Sequence, residues 1–253
     1  MAVIGIMSAM HEELAAVLAE MPDEQRVQVA GRDFWVGHWQ GHSVVAVLSR
    51  IGKVAAATTA TVLLERFEVD TLVFTGVAGG LGSGVRVGDV VVADGFVQHD
   101  LDVSPLFPRY EVPLYGLARF DAHPALLAQL RAASEQVLAD AALHLGAGTL
   151  AEFQLSAPRV HQGLVISGDR FVSTSAESHA LRQALPEALA VEMEGAAVAQ
   201  VCHDYGVPFA AVRTISDRAD DTAHTDFRRF IREVASRYSL AILSQWLSQR
   251  APD

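Results

Sequence analysis

The chain has little cysteine: Cys202 stands alone, and one thiol cannot build an intrachain disulfide framework. Such usage suits a reducing compartment, so a cytoplasmic location is expected. Long apolar runs are also missing. Stretches such as Val90 to Ala93 are strand-sized, far short of the ~20 residues that cross a membrane. The N-terminus lacks the basic region, apolar core and cleavage site of a secretory signal. Basic charge is scarce, with 19 Lys and Arg against 30 Asp and Glu and a formal net charge of -11. A nucleic-acid backbone calls for a basic stripe, so no such partner is expected. Repeats, low-complexity tracts and linkers are absent too. What remains is 253 residues, 51% hydrophobic, enough for one large core in a single domain spanning 1–253.

Several chemistries lack their parts. Ser167 is flanked by Val165 and Asp169 rather than the glycines of a G-x-S-x-G elbow, which excludes a serine hydrolase. The run Gly76-Val77-Ala78-Gly79-Gly80-Leu81-Gly82 does not fit G-x-G-x-x-G, and Val85 to Ala93 reads as turn and strand where a dinucleotide fold needs a helix. Its glycines suit close approach of backbone to a ligand. Ile51-Gly52-Lys53-Val54 lacks the upstream Gly and the Ser/Thr of a phosphate-binding loop, so Lys53 reads as a solvated residue at a helix start. His99-Asp100-Leu101-Asp102 has no second cluster at ligand spacing; a hydrogen-bonding role is expected there, and no metal. Cys202-His203 falls inside a helix, where neighbours point apart, so Cys202 reads as a buried thiol.

What is present is a set of carboxylates at strand ends. Ala188 to Val191 is strand-like and runs into Glu192-Met193-Glu194. A small-residue helix follows, Gly195 to Tyr205, then a second apolar strand, Phe209 to Ile215, ending on Ser216-Asp217. Strand, helix, strand reads as a βαβ unit with two parallel strands, putting Glu194 and Asp217 near one sheet edge. In open α/β sheets that edge binds ligands. The chain opens with another strand, Ala2 to Met7, and Glu13 falls in the first turn of the helix after it.

Elsewhere Asp33 to Trp39 and Ser43 to Leu48 read as a hairpin through Gln40-Gly41-His42. Helices are expected over Lys53 to Glu65, within Phe120 to Asp140, and over Ala176 to Leu185, with strands at Thr71 to Thr75 and Asp89 to Ala93. The last helix carries one apolar face: Phe227, Phe230, Ile231, Val234, Tyr238, Ala241, Ile242 and Trp246. Ser104 to Arg119 and Leu145 to His161 read as loops.

Six segments in order carry a family resemblance: Met10-x-x-Glu13, Ser49 to Ala57, Thr75 to Gly80, Ser167-Gly168-Asp169, Val191 to Glu194, and Arg213-x-Ile215-Ser216-Asp217. Together they resemble the bacterial 5′-methylthioadenosine/S-adenosylhomocysteine nucleosidases of the nucleoside phosphorylase superfamily, over Val3 to about Trp246. The resemblance implies an α/β fold with a central mixed, twisted sheet flanked by helices, no cofactor, and a homodimer. It implies that Asp217 protonates N7 of adenine, Glu13 activates water and Glu194 holds the ribose hydroxyls. Met193 would back the ribose, Phe171 would stack on the adenine and Val172 would read its edge. Arg213 and Ser216 match positions supporting the water and the acid. Ala78, Gly79 and Glu192 belong to matched binding segments, and Met10, Ile51, Val103, Met193 and Phe227 match the apolar wall around the 5′ group. An Arg in such a site must be paired, and Glu13 or Glu194 is the expected partner. One departure stands out: Val77 replaces a hydroxyl residue. Two alternatives stay open, a purine nucleoside phosphorylase and a non-catalytic nucleoside-binding protein.

Overall fold

The computed structural model of the chain, which describes residues 2–219 and 227–251, puts its short apolar runs into strands and its spaced apolar positions into helices. The strands are β1 (Val3–Ser8), β2 (Gln25–Val29), β3 (Arg32–Trp39), β4 (His42–Leu48), β5 (Thr71–Gly80), β6 (Val90–Gln98), β7 (Arg119–Asp121), β8 (Val160–Ser167), β9 (Ala188–Glu192) and β10 (Phe209–Asp217). The helices are α1 (His11–Leu18), α2 (Lys53–Phe67), α3 (Pro124–Ala139), α4 (Ala141–Leu145), α5 (Ala147–Glu152), α6 (Ser175–Ala184), α7 (Gly195–Tyr205), α8 (Phe227–Phe230) and α9 (Ser236–Ser248).

The strands join one mixed sheet, the α/β architecture that the family resemblance implies. β2, β3 and β4 run antiparallel in turn, and β4 pairs parallel with β1, which pairs parallel with β5. β5 is the pivot. Its first half lies between β1 and β10, both parallel to it. Beyond Thr75 β1 has ended, and β9 takes that flank, antiparallel at Gly79 and Gly80. β9 continues to β8, β8 to β6, and β6 pairs back onto β10. Five strands thus close a ring, and the other strands of the path, β1 to β4, form an open wing on it.

This topology corrects one expectation. β9 and β10 are not adjacent parallel partners, because β5 stands between them, antiparallel to one and parallel to the other. Two glycines at the end of β5 allow it, since backbone without side chains can be flanked closely on both sides. The shared edge survives nonetheless. Gly79 is the register partner of both Val191 and Asp217.

The hairpin forms as expected, turning on Gln40 and Gly41 at φ 51 and 84. The Leu145 to His161 segment is not all loop: it contains α5 and the start of β8. β2, β7 and β8 are illegible in the pattern. β2 is a mostly exposed polar edge strand and β7 has only three residues. Ser104 to Arg119 is turns with one bridge, Val112 to Leu117. In the last helix Phe230, Ile231, Val234, Tyr238, Ile242 and Trp246 are buried. The helix passes from α8 to α9 through a π-helical turn, Ile231–Ala235, and packs on α1 and α3. Truncating fully buried Trp246 to Ala would cost about 3–5 kcal/mol. Among the described residues no helix is long and apolar enough to cross a membrane.

Candidate active site

One cavity gathers the strand ends. Ala9 and Met10 follow β1; Val77, Ala78 and Gly79 end β5; Val191 to Glu194 end β9; Ser216 and Asp217 end β10. Ile51, Arg170, Phe171, Val172 and Phe227 complete the lining around about 740 Å³ of empty space, open mouth included.

Asp217 is held locally. The Ser216 hydroxyl donates to its Oδ2 at 2.7 Å and the Ala219 N–H to its Oδ1 at 2.7 Å. Gly79 makes room for it, because a Cβ there would stand 3.0 Å from Oδ1 and 2.9 Å from the Ala219 Cβ. Backbone and carboxylate therefore share the corner that Val191 also reaches.

Glu192 is a hub rather than a free ligand group. Its carboxylate accepts from the Ser167 hydroxyl, from the Gly195 N–H at 2.9 and 3.0 Å, from the Glu194 N–H at 3.1 Å, and from Arg213 Nη2 at 2.9 Å. Arg213 is thus paired with Glu192, not with Glu13 or Glu194 as expected. Its guanidinium lies over the Phe74 ring, 4.1 Å from the centroid, which aims Nη2 across the ring of strands at β9. Among the described residues the buried arginine is therefore already paired, and Arg170 on the cavity lining is paired with Glu177.

Glu194, at the start of α7, accepts the Gly52 N–H at 2.8 Å through Oε1. Burial, then the charge of neighbouring Glu192, pushes its pKa up to about 7. Glu13 is fully buried in the first turn of α1. Its Oε2 accepts the Met10 N–H at 3.1 Å, and its Oε1 accepts the Ser239 hydroxyl of α9 at 3.0 Å. Burial again raises the pKa, from 4.5 to about 7, against the opposing pull of Ser239 and Arg213. Neither Glu13 nor Arg213 lines the cavity; Ala9, Met10 and Val77 are wall residues there.

Phe171 and Phe227 meet edge to face, centroids 6.2 Å apart, with Val172 buried beside them. Met193 lies between the two glutamates on the lining, and Ile51 is 70% exposed at its edge. Val103 is not in the wall; it sits in a turn whose carbonyl accepts the Leu106 and Phe107 N–H groups. Lys53 departs from expectation too. It is largely buried, with Nζ 2.6 Å from Asp100 Oδ1 and 3.1 Å from Gln98 Oε1. Asp100 therefore has the hydrogen-bonding role expected of it. Ser239 carries no signal near Glu13 in the chain, being 226 residues away. Ser167 and Asp169 lie in a matched segment, but only the fold reveals their partners.

The chain matches the phosphorylase superfamily over residues 3–246. A 5′-methylthioadenosine/S-adenosylhomocysteine nucleosidase from Neisseria meningitidis, in complex with methylthio-immucillin-A, is 32% identical with a TM-score of 0.85, covering 99% of this chain and 100% of that one. The corresponding nucleosidase from S. pneumoniae, with the transition-state inhibitor MT-ImmA, is 34% identical at TM-score 0.83, covering 97% and 98%. A futalosine hydrolase of Helicobacter pylori is 30% identical at TM-score 0.82, covering 98% of both chains. This chain belongs to the phosphorylase superfamily and, within it, to the nucleosidases that cleave N-glycosidic bonds with water.

Proposed function

We propose that the chain hydrolyses 5′-substituted adenosines, with 5′-methylthioadenosine and S-adenosylhomocysteine as substrates, to adenine and the free 5-substituted ribose. The observation that carries this reading is the meeting of Asp217 and Glu194 on one cavity from separate elements, with Glu13 buried behind it and bonded to the Met10 N–H of the wall. Asp217, oriented by Ser216 and Ala219, gives its proton to N7 as the bond from the anomeric carbon to N9 breaks. Glu194 holds the ribose hydroxyls beside Met193, and its negative charge steadies the cation-like sugar. Water attacks the anomeric carbon and gives its proton to Glu13, whose pKa near 7 suits a base at neutral pH. The proton returns from Glu13 to Asp217 through solvent to close the cycle. Phe171 and Val172 form the base wall; Met10, Ile51 and Phe227 form the 5′ wall.

Water is favoured over phosphate because the only buried arginine is already paired with Glu192 among the described residues. An anion placed near buried carboxylates would meet like-charge repulsion in a low dielectric. The mouth beside Ile51 is open, which supports acceptance of bulky 5′ groups, homocysteinyl or aminofutalosine-like. We place the protein in the cytoplasm, without a nucleic-acid partner and as a homodimer. Exposed Val54, 78% accessible in the first turn of α2, supports burial by a second copy.

The test is a panel of 5′-substituted adenosines in phosphate-free buffer, with both products identified. Adenine and free sugar are expected, unaffected by added phosphate. Ribose 1-phosphate as the main sugar would establish the phosphorylase alternative, and binding without adenine release would establish the non-catalytic one.

A further inference from the structure

We propose that Lys53 is a positioning residue: with Asp100 and Asp169 it fixes the start of α2 so that the Gly52 N–H meets Glu194. The proposal rests on the reading of Glu194 as the ribose-binding carboxylate.

The first amides of a helix have no partners within it. At α2 they are taken by carboxylates from elsewhere in the fold. The Gly52 N–H donates to Glu194 Oε1 at 2.8 Å and the Lys53 N–H to Asp169 Oδ1 at 2.7 Å. The Asp169 N–H in turn donates to Asp100 Oδ2 at 2.9 Å, and Lys53 Nζ reaches Asp100 Oδ1 at 2.6 Å. Lys53, Asp169 and Asp100 therefore form a closed circuit of main-chain and side-chain bonds. Gln98 extends it: its Oε1 accepts Lys53 Nζ, and its Nε2 donates to Gln200 Oε1 on α7 at 2.8 Å. Glycine is required at position 52, where φ is +92 and a Cβ would lie 2.9 Å from Asp169 Oδ1.

The circuit touches both halves of the substrate pocket. Asp169 directly precedes Arg170, Phe171 and Val172 of the base wall, and Gly52 directly precedes Lys53. Glu194 feels the charges of Glu192 and Arg213 and is hydrogen-bonded by backbone, chiefly by the Gly52 amide at Oε1 and more weakly by Met193. The Gly52 bond is the larger of the two, so slack at the start of α2 loosens the ribose grip. One network thus sets the ribose carboxylate and the base wall together.

Charge and position separate cleanly by substitution. Lys53→Met removes a positive charge and Asp100→Asn a negative one, yet both open the circuit. Each is expected to lower kcat/KM for methylthioadenosine by about 10- to 100-fold, mainly through kcat, as misplacement of a gripping group does. Each should also shrink the preference for methylthioadenosine over its 3′-deoxy analogue. The double variant should lose no more than the worse single one, since both disable one unit. Thermal unfolding midpoints confirm that the variants are folded at the assay temperature. Opposite-sign effects of the two substitutions, or wild-type discrimination retained in both, would overturn the proposal. Glu194→Ala separates it from the underlying reading. If that variant keeps the 3′-hydroxyl preference, the ribose assignment fails; if it loses the preference while Lys53→Met keeps it, the positioning role alone fails.

Discussion

Asp217 lines the cavity and takes hydrogen bonds from Ser216 and Ala219, within two residues of itself. Glu13 does not line that cavity, is fully buried, and adds to its local bond from Met10 one from Ser239 at the far end of the chain. A group that must touch a large leaving base needs an open face and a fixed direction. A group that handles only water can sit deeper, and depth is what lifts its pKa into the working range. The contrast assigns acid and base by environment, as two carboxyl groups with different surroundings do in other glycosidic cleavages.

The largest effect should come from the exposed end. Asp217→Asn keeps the shape and can still accept the Ala219 N–H while its NH2 donates to the Ser216 hydroxyl, but it supplies no carboxylic proton. Turnover of methylthioadenosine should fall about 10²- to 10⁴-fold, roughly 3–5 kcal/mol of transition-state stabilisation. Near-normal turnover would remove Asp217 from the acid role and collapse the contrast.

Glu13→Gln tests the buried end through stability as well as rate. In the folded chain the Glu13 carboxyl has a pKa of about 7 against an ordinary 4.5. The folded state therefore holds the proton more tightly, so this group's contribution is fully present below about 4.5 and is lost as pH rises through 7. The difference corresponds to about 3 kcal/mol. Glutamine does not ionise, so the variant should gain stability relative to wild type between pH 5 and pH 8 by up to that amount. Its activity should meanwhile collapse, and wild-type kcat/KM should decline on the acid side of about 7. Equal Tm differences at the two pH values would show that Glu13 does not ionise at a cost.

How much of this was legible follows from the range of each interaction. Strand ends marked by acids, such as Val191 to Glu194 and Ile215 to Asp217, announce themselves because apolar runs stop on carboxylates. The partner of Arg213 does not, since Glu192 faces it only after the strands close a ring that no local pattern encodes. The pairing of Lys53 is hidden for the same reason: its partner Asp100 lies on a turn brought in by β6. The β9–β10 relation is not legible because a helix between two strands signals a crossover without saying which strand lies between them. Val103 failed as a wall residue because the Pro-rich loop follows no periodic pattern that would orient it.

The smallest effect should come at Val77, where the two regions meet. Val77 lines the cavity on β5, two residues after Thr75, so the two side chains share a face. Ser8 is the register partner of Thr75, and the hydroxyls of both are buried without a hydrogen-bond partner in the protein. Polar atoms are thus already available beside this wall, and Glu13 supplies the base. Val77→Thr adds a hydroxyl at nearly constant volume. It should change kcat/KM by less than about tenfold, the range expected when no hydrogen bond essential to the transition state is gained or lost. Placing the hydroxyl in a partly apolar setting should cost about 1 kcal/mol, or roughly 2–4 °C in Tm. Steady-state kinetics and thermal unfolding of the variant check both. A rise of tenfold or more would mean that water in the wild-type chain is under-held, and that the buried end relies on the wall as much as on Glu13.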